Sequence, residues 1–149
     1  MNRYISHGET ISTSAPKDLY DLAVLRETLP GIRRFAVAQS YRTIITETSN
    51  SKLVHHFDNL VWYIASYIHY TDKEIYYIWL DCAVEMCDFG LDMASIKYLG
   101  KSIEDLNIHE LAGLVVLVRG PSIFKPGSNR FEEHIDKLLE AYKSSLTKY

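Results

Sequence analysis

Two tetrapeptides constrain the fold of this chain more than any other feature: "TDKE" at 71–74 and "NIHE" at 107–110. Each places a small polar side chain three residues ahead of a glutamate, with an apolar run behind it. In that arrangement the first side chain accepts from the glutamate's backbone N–H, and the glutamate reaches back to the first residue's own N–H. Two such starts, each followed by a long apolar run with a glycine at its end, commit the middle of the chain to helices.

The remaining segments follow the same logic. A first helix is expected over 16–29, because Pro16 suits a first turn and Leu19, Leu22, Ala23 and Leu25 form an apolar side. "LPG" at 29–31 is expected to break it. A second helix over 32–47 ends in "RTIITET", whose β-branched residues keep a strand open at 42–48. A third helix over 52–70 carries Leu53, Phe57, Leu60, Val61, Ile64 and Ile68 on one side at helical spacing, the side expected to meet the core. The first capping box then opens a fourth helix to about 89, with Gly90 as its stop. The short link between the third and fourth helices predicts a central αα-hairpin or a sharp corner, with the hairpin over 52–70 and 72–89.

Residues 92–99 form a short helix ending at Gly100. The second box introduces "IHELAGLVVLVR", stopped by Gly120; its valines keep a strand open at 111–118, while its length and both end signals favour a helix. Ser128 is expected to cap a last helix over 129–146, with Phe131, Ile135, Leu138, Leu139, Tyr142 and Leu146 as its stripe. The expectation is therefore an all-α fold: one compact domain over 15–149, six or seven helices around one core, preceded by a flexible polar arm at 1–14.

Composition narrows the function. Hydrophobic residues are 47% and charged residues 23% of 149, which is enough to build a core. The net charge of −3 supplies no overall basic field for nucleic acid, so such a partner is not expected. Arg26, Arg33, Arg34 and Arg42 nevertheless concentrate positive charge, and a small nucleic-acid-binding regulator using the Arg33/Arg34 region is one alternative. Cys82 and Cys87 would point roughly 140° apart on one helix, too divergent to bridge each other. The opening "MNRYISHGETIS" has no apolar core of a signal peptide, and no apolar run is long enough to span a bilayer; a cytoplasmic protein with no membrane contact is the expectation.

No phosphate-binding glycine loop, dinucleotide fingerprint or nucleophile elbow is present, and no Glu-x-x-His pairs mark a di-metal site. No cofactor or metal is expected. His55 and His69 lie roughly 21 Å apart along one helix and cannot share an ion. Two features point to binding instead. On a continuous fourth helix, Asp81, Glu85, Asp88 and Asp92 fall in one narrow acidic strip, the exposed edge of a helix apolar almost all round. On the third helix Trp62 and Tyr63, with Tyr67 and Tyr70, give an aromatic surface of the kind common at protein contacts. The leading expectation is a noncatalytic protein-interaction protein, in the manner of inhibitors, immunity proteins and adaptors, binding a protein partner, a basic one being an option, through Asp81, Glu85, Asp88, Asp92, Trp62 and Tyr63.

The stretch after "IHELAGLVVLVR" offers a different chemistry. Lys125, Ser128 and Arg130 surround a helix start that favours anions. Arg130 and His134 sit one turn apart and could serve a ribonuclease or phosphate-ester enzyme, His134 moving protons and Arg130 holding phosphate. Three residues separate the pair, and two of them are Glu132 and Glu133.

Overall fold

The computed structural model describes residues 16–44, 52–83, 90–118 and 120–147; within those spans the side chains of 42–44, 52, 53 and 55 stand outside the description. The expected 1–14 arm lies outside the described residues. The described residues form seven α-helices and one 3-10 turn: α1 (Lys17–Glu27), α2 (Leu29–Ile44), α3 (Lys52–His69), α4 (Asp72–Cys82), α5 (Gly90–Leu99), the turn Ile103–Asp105, α6 (Ile108–Val118) and α7 (Asn129–Leu146). The fold is all-α; of the segments where a strand was open, 111–118 is helical, as is 42–44 within 42–48, whose residues 45–48 lie outside the described residues.

Both capping boxes form. The Thr71 hydroxyl accepts from the Glu74 backbone N–H at 3.3 Å, and Glu74 accepts from the Thr71 N–H at 2.8 Å. Asn107 and Glu110 repeat the exchange at 3.0 and 2.9 Å. Ser128 caps α7 by accepting from the Phe131 N–H at 3.3 Å.

The core is built around α6, whose residues 111–118 are all buried. It packs against α1, α5 and α7. Gly113 lets α7 come close, since a Cβ there would meet Phe131 at 3.1 Å and Ile135 at 3.3 Å. From α4 the core takes Ile75, Tyr76, Ile78, Trp79 and Leu80. The Tyr142 hydroxyl of α7 donates to Asp18 of α1 at 2.8 Å, tying the two ends of the described chain together.

Three boundaries differ from the sequence reading. "LPG" does not break the chain; it is the first turn of α2, where a proline's missing N–H costs nothing. The break falls one residue earlier, at Thr28, which adopts φ 62°. Next, α4 ends at Cys82 instead of continuing to about 89, and Gly90 opens α5 instead of closing α4. Gly90 has φ +72° and lies directly on the backbone of Leu80 and Asp81, a fit only a residue without a Cβ allows. Finally, α3 and α4 meet at a corner through Tyr70 and Thr71 without forming the expected central hairpin. The principal packing of α3 is on α2, and that of α4 is on α2 and α5.

Candidate interaction surface

Helix α3 is amphipathic, but the polar part of it faces the protein. Ser66 is buried, and its hydroxyl donates to the Tyr63 carbonyl at 2.6 Å. Tyr41 of α2 donates to Asp58 at 3.2 Å; burial and then this carboxylate push the phenol above its ordinary range.

Arg33 of α2 is the main fastening. It is only 3% exposed, and its guanidinium donates to the Ser66 carbonyl at 2.6 Å, the Tyr70 carbonyl at 3.3 Å and Asp72 at 2.6 Å. It also stacks 4.2 Å above the Tyr67 ring. One cation therefore satisfies carbonyls at the end of α3, where the helix dipole favours positive charge, and pairs with the first residue of α4.

The apolar stripe expected to meet the core points the other way. Phe57 is 65% exposed, Ile64 55% and Ile68 76%, and Val54, Leu60 and Val61 are exposed beside them. Their spacing makes one continuous face along the helix. Phe57, Leu60, Val61, Ile64 and Ile68 are residues the sequence reading assigned to the interior; Val54 joins them, and the side chain of Leu53, the sixth member of the expected stripe, lies outside the description. Periodicity identified the stripe, but periodicity cannot say whether a neighbouring element covers it.

Trp62 and Tyr63, singled out from sequence, are half-buried beside this face. The Tyr63 and Tyr67 hydroxyls are 2.9 Å apart and their rings meet edge to face at 5.3 Å. This hydrogen bond, and then burial, hold the Tyr67 phenol above its ordinary range. Arg34 lies 5.9 Å from the Tyr63 ring, so an arginine–tyrosine cluster edges the stripe.

Asp81 and Asp92, the two described members of the expected acidic strip, lie on different helices. Asp81 is half-buried in the last turn of α4, while Asp92 is half-buried in the first turn of α5. The continuous helix that would have aligned them ends at Cys82, and Glu85 and Asp88 lie outside the described residues. In the basic region, Arg33 is committed internally and Arg34 is at the surface.

The loop before α7 is organised around Phe124, which is buried. The Arg130 guanidinium lies 5.4 Å from its ring and His134 packs against it edge to face at 4.9 Å. Both members of the Arg–His pair thus brace the same aromatic residue. The Ser128 hydroxyl is taken up by its cap, and Lys125 is exposed nearby. Glu133 pairs with Lys137 at 2.6 Å, which holds its carboxyl below the usual range.

Cys82 is a free thiol pushed up to about 12, chiefly by burial and then by Asp81, so it is protonated at neutral pH and a poor nucleophile. Among the described residues no group of three or more histidine, cysteine or carboxylate side chains could hold a metal ion. None of the described helices is long and apolar enough to cross a membrane. Comparison with protein-family models, with curated proteins and with solved structures found no match to this chain.

Proposed function

We propose that this chain is a noncatalytic protein-interaction module whose docking surface is the outward face of α3, flanked by Trp62, Tyr63 and Tyr67. One observation carries the reading. A helix of 18 residues is held to its neighbour by polar contacts through Arg33, Ser66 and Asp58, and turns its apolar stripe to solvent. Burying apolar area is the main favourable term in folding, so exposing a whole stripe is unfavourable unless something covers it. Apolar centres edged by tyrosine and arginine are also typical of protein contacts.

The test is affinity capture from the source cells, with proteins quantified for wild-type bait and for Phe57→Glu and Ile64→Glu baits. Proteins retained by wild type and lost from both variants support the reading. Recovery that is the same for all three baits removes the α3 face as the docking surface.

A further inference from the structure

We propose that the occupant of the α3 face is a second copy of this chain, forming a two-fold symmetric dimer. This rests on the reading of α3 as the docking surface. Two properties of the face select a second copy over another partner.

The first is area. Val54, Phe57, Leu60, Val61, Ile64 and Ile68, at the exposures they show, offer on the order of 600 Å² of apolar surface, the upper end for a monomer's largest patch. Homodimer interfaces are about 65% apolar. Buried in full, the stripe would supply most of the ~800 Å² per copy of a standard stable interface, with the flanking tyrosines beside it.

The second is the absence of charge. In a two-fold interface the same patch appears on both sides, so a charge near the axis meets its own like charge. None of the six stripe residues carries one. The nearest described acid, Asp58, is half-buried and bonded to Tyr41, and the exposed His56 and His69 lie towards the two ends of the stripe. Arg34 stands at the edge of the stripe beside Tyr63, so within the stripe itself a charged partner would find no complementary charge, whereas an identical apolar stripe fits without conflict. The middle of the stripe, Leu60 and Val61, then lies at the two-fold axis, each facing its own copy.

The experiment is sedimentation velocity of the full chain over a range of concentrations, with Phe57→Glu, Ile64→Glu and, as a control on a distant exposed apolar residue, Leu146→Glu. Circular dichroism checks that each variant folds. The expected result is a wild-type dimer whose dissociation constant rises roughly thirtyfold or more in both α3 variants, as for central interface residues, and stays unchanged in Leu146→Glu. Leu60→Cys should also form an intermolecular disulfide under mild oxidation, while the wild type, whose Cys82 is half-buried on α4 away from the stripe, should not do so through that residue.

A wild-type monomer overturns self-pairing, as does a dimer insensitive to both α3 substitutions. The capture experiment separates the two readings. A monomer whose captured proteins still depend on Phe57 and Ile64 leaves the α3 face standing with a different occupant. A monomer with no such dependence removes both.

Discussion

The Tyr76 hydroxyl is buried in α4 and has no hydrogen-bond partner among the described residues. Its ring is well placed, edge to face with Tyr20 at 4.9 Å and stacked on Trp79 at 5.9 Å, and burial pushes the phenol above its ordinary range. The ring contributes packing while the unpaired oxygen carries a desolvation cost. Tyr76→Phe should therefore raise stability by about 1 kcal/mol in urea denaturation. A loss of that size would show that the oxygen has a partner. Thr28 poses a second conflict between side chain and backbone. Its φ 62° and ψ 154° lie in a region used almost only by glycine, yet its hydroxyl accepts from the Gly31 N–H at 3.3 Å at the start of α2. Strain there is about 1–3 kcal/mol, and a cap lost to glycine costs only a few tenths. Thr28→Gly should be more stable than wild type, and Thr28→Ala, which keeps the strain and loses the cap, less stable. The opposite order in thermal denaturation would show that the cap outweighs the backbone. The break lies at this residue and not at "LPG", where the sequence reading placed it: a threonine gives no signal of positive φ, and the neighbouring Pro30 and Gly31 look like breakers while serving as a helix's first turn.

At the scale of elements, helix starts were legible because each rests on local chemistry: Thr71 with Glu74, Asn107 with Glu110 and Ser128 all cap as expected. The end of α4 was not, because Gly90 is required by contact with the backbone of Leu80 and Asp81, a tertiary condition with no sequence signature. The direction faced by α3 was hidden for a related reason. What decides it is Arg33, an arginine that reads as a surface cation and is instead a buried joint among α2, α3 and α4. Removing it should loosen α3 specifically. Asp72 is 58% exposed and stays hydrated when unpaired, so the cost falls below the 3–5 kcal/mol of breaking a fully buried pair. Arg33→Met is expected to cost about 2 kcal/mol, from charge-assisted hydrogen bonds to Ser66, Tyr70 and Asp72. Arg33→Lys should recover little of it, since one ammonium cannot reproduce a planar fork engaging three acceptors. Hydrogen exchange should show amides of α3 losing protection while those of α6 and α7 keep theirs. Uniform loss across all helices would mean that α3 is integral to the core.

The whole molecule is bounded in pH by two sets of contacts, local ones on the acid side and one that joins distant parts of the chain on the alkaline side. On the acid side Glu110, hydrogen-bonded by Lys101 and then by the Asn107 N–H, has its carboxyl held below the usual range; Glu74 is held down by Thr71 and Glu133 by Lys137. A carboxyl depressed in the folded state contributes stability that is present above its unfolded value of about 4.3 and is lost as pH falls through the folded value. On the alkaline side the Tyr142 hydroxyl, donating to Asp18 and buried, is pushed up to about 12. A phenol raised in the folded state contributes stability that is present below its unfolded value of about 10 and is lost as pH rises through the folded value. Stability should therefore be level between about pH 5 and 9 and fall on both flanks, for separable reasons. Glu110→Gln keeps the capping box, since glutamine can fill that position, and removes only the charge paired with Lys101. It should differ from wild type at neutral pH and converge with it below about pH 4. Tyr142→Phe deletes the tie between α7 and α1, which should cost about 1 kcal/mol at neutral pH. That gap should close as pH approaches about 12, where the wild-type phenol ionises and repels Asp18. Urea midpoints measured across this range for the three proteins check both flanks. A gap for Tyr142→Phe that stays constant from about pH 8 to 11.5 would mean that the Asp18 contact does not hold the two ends of the described chain together.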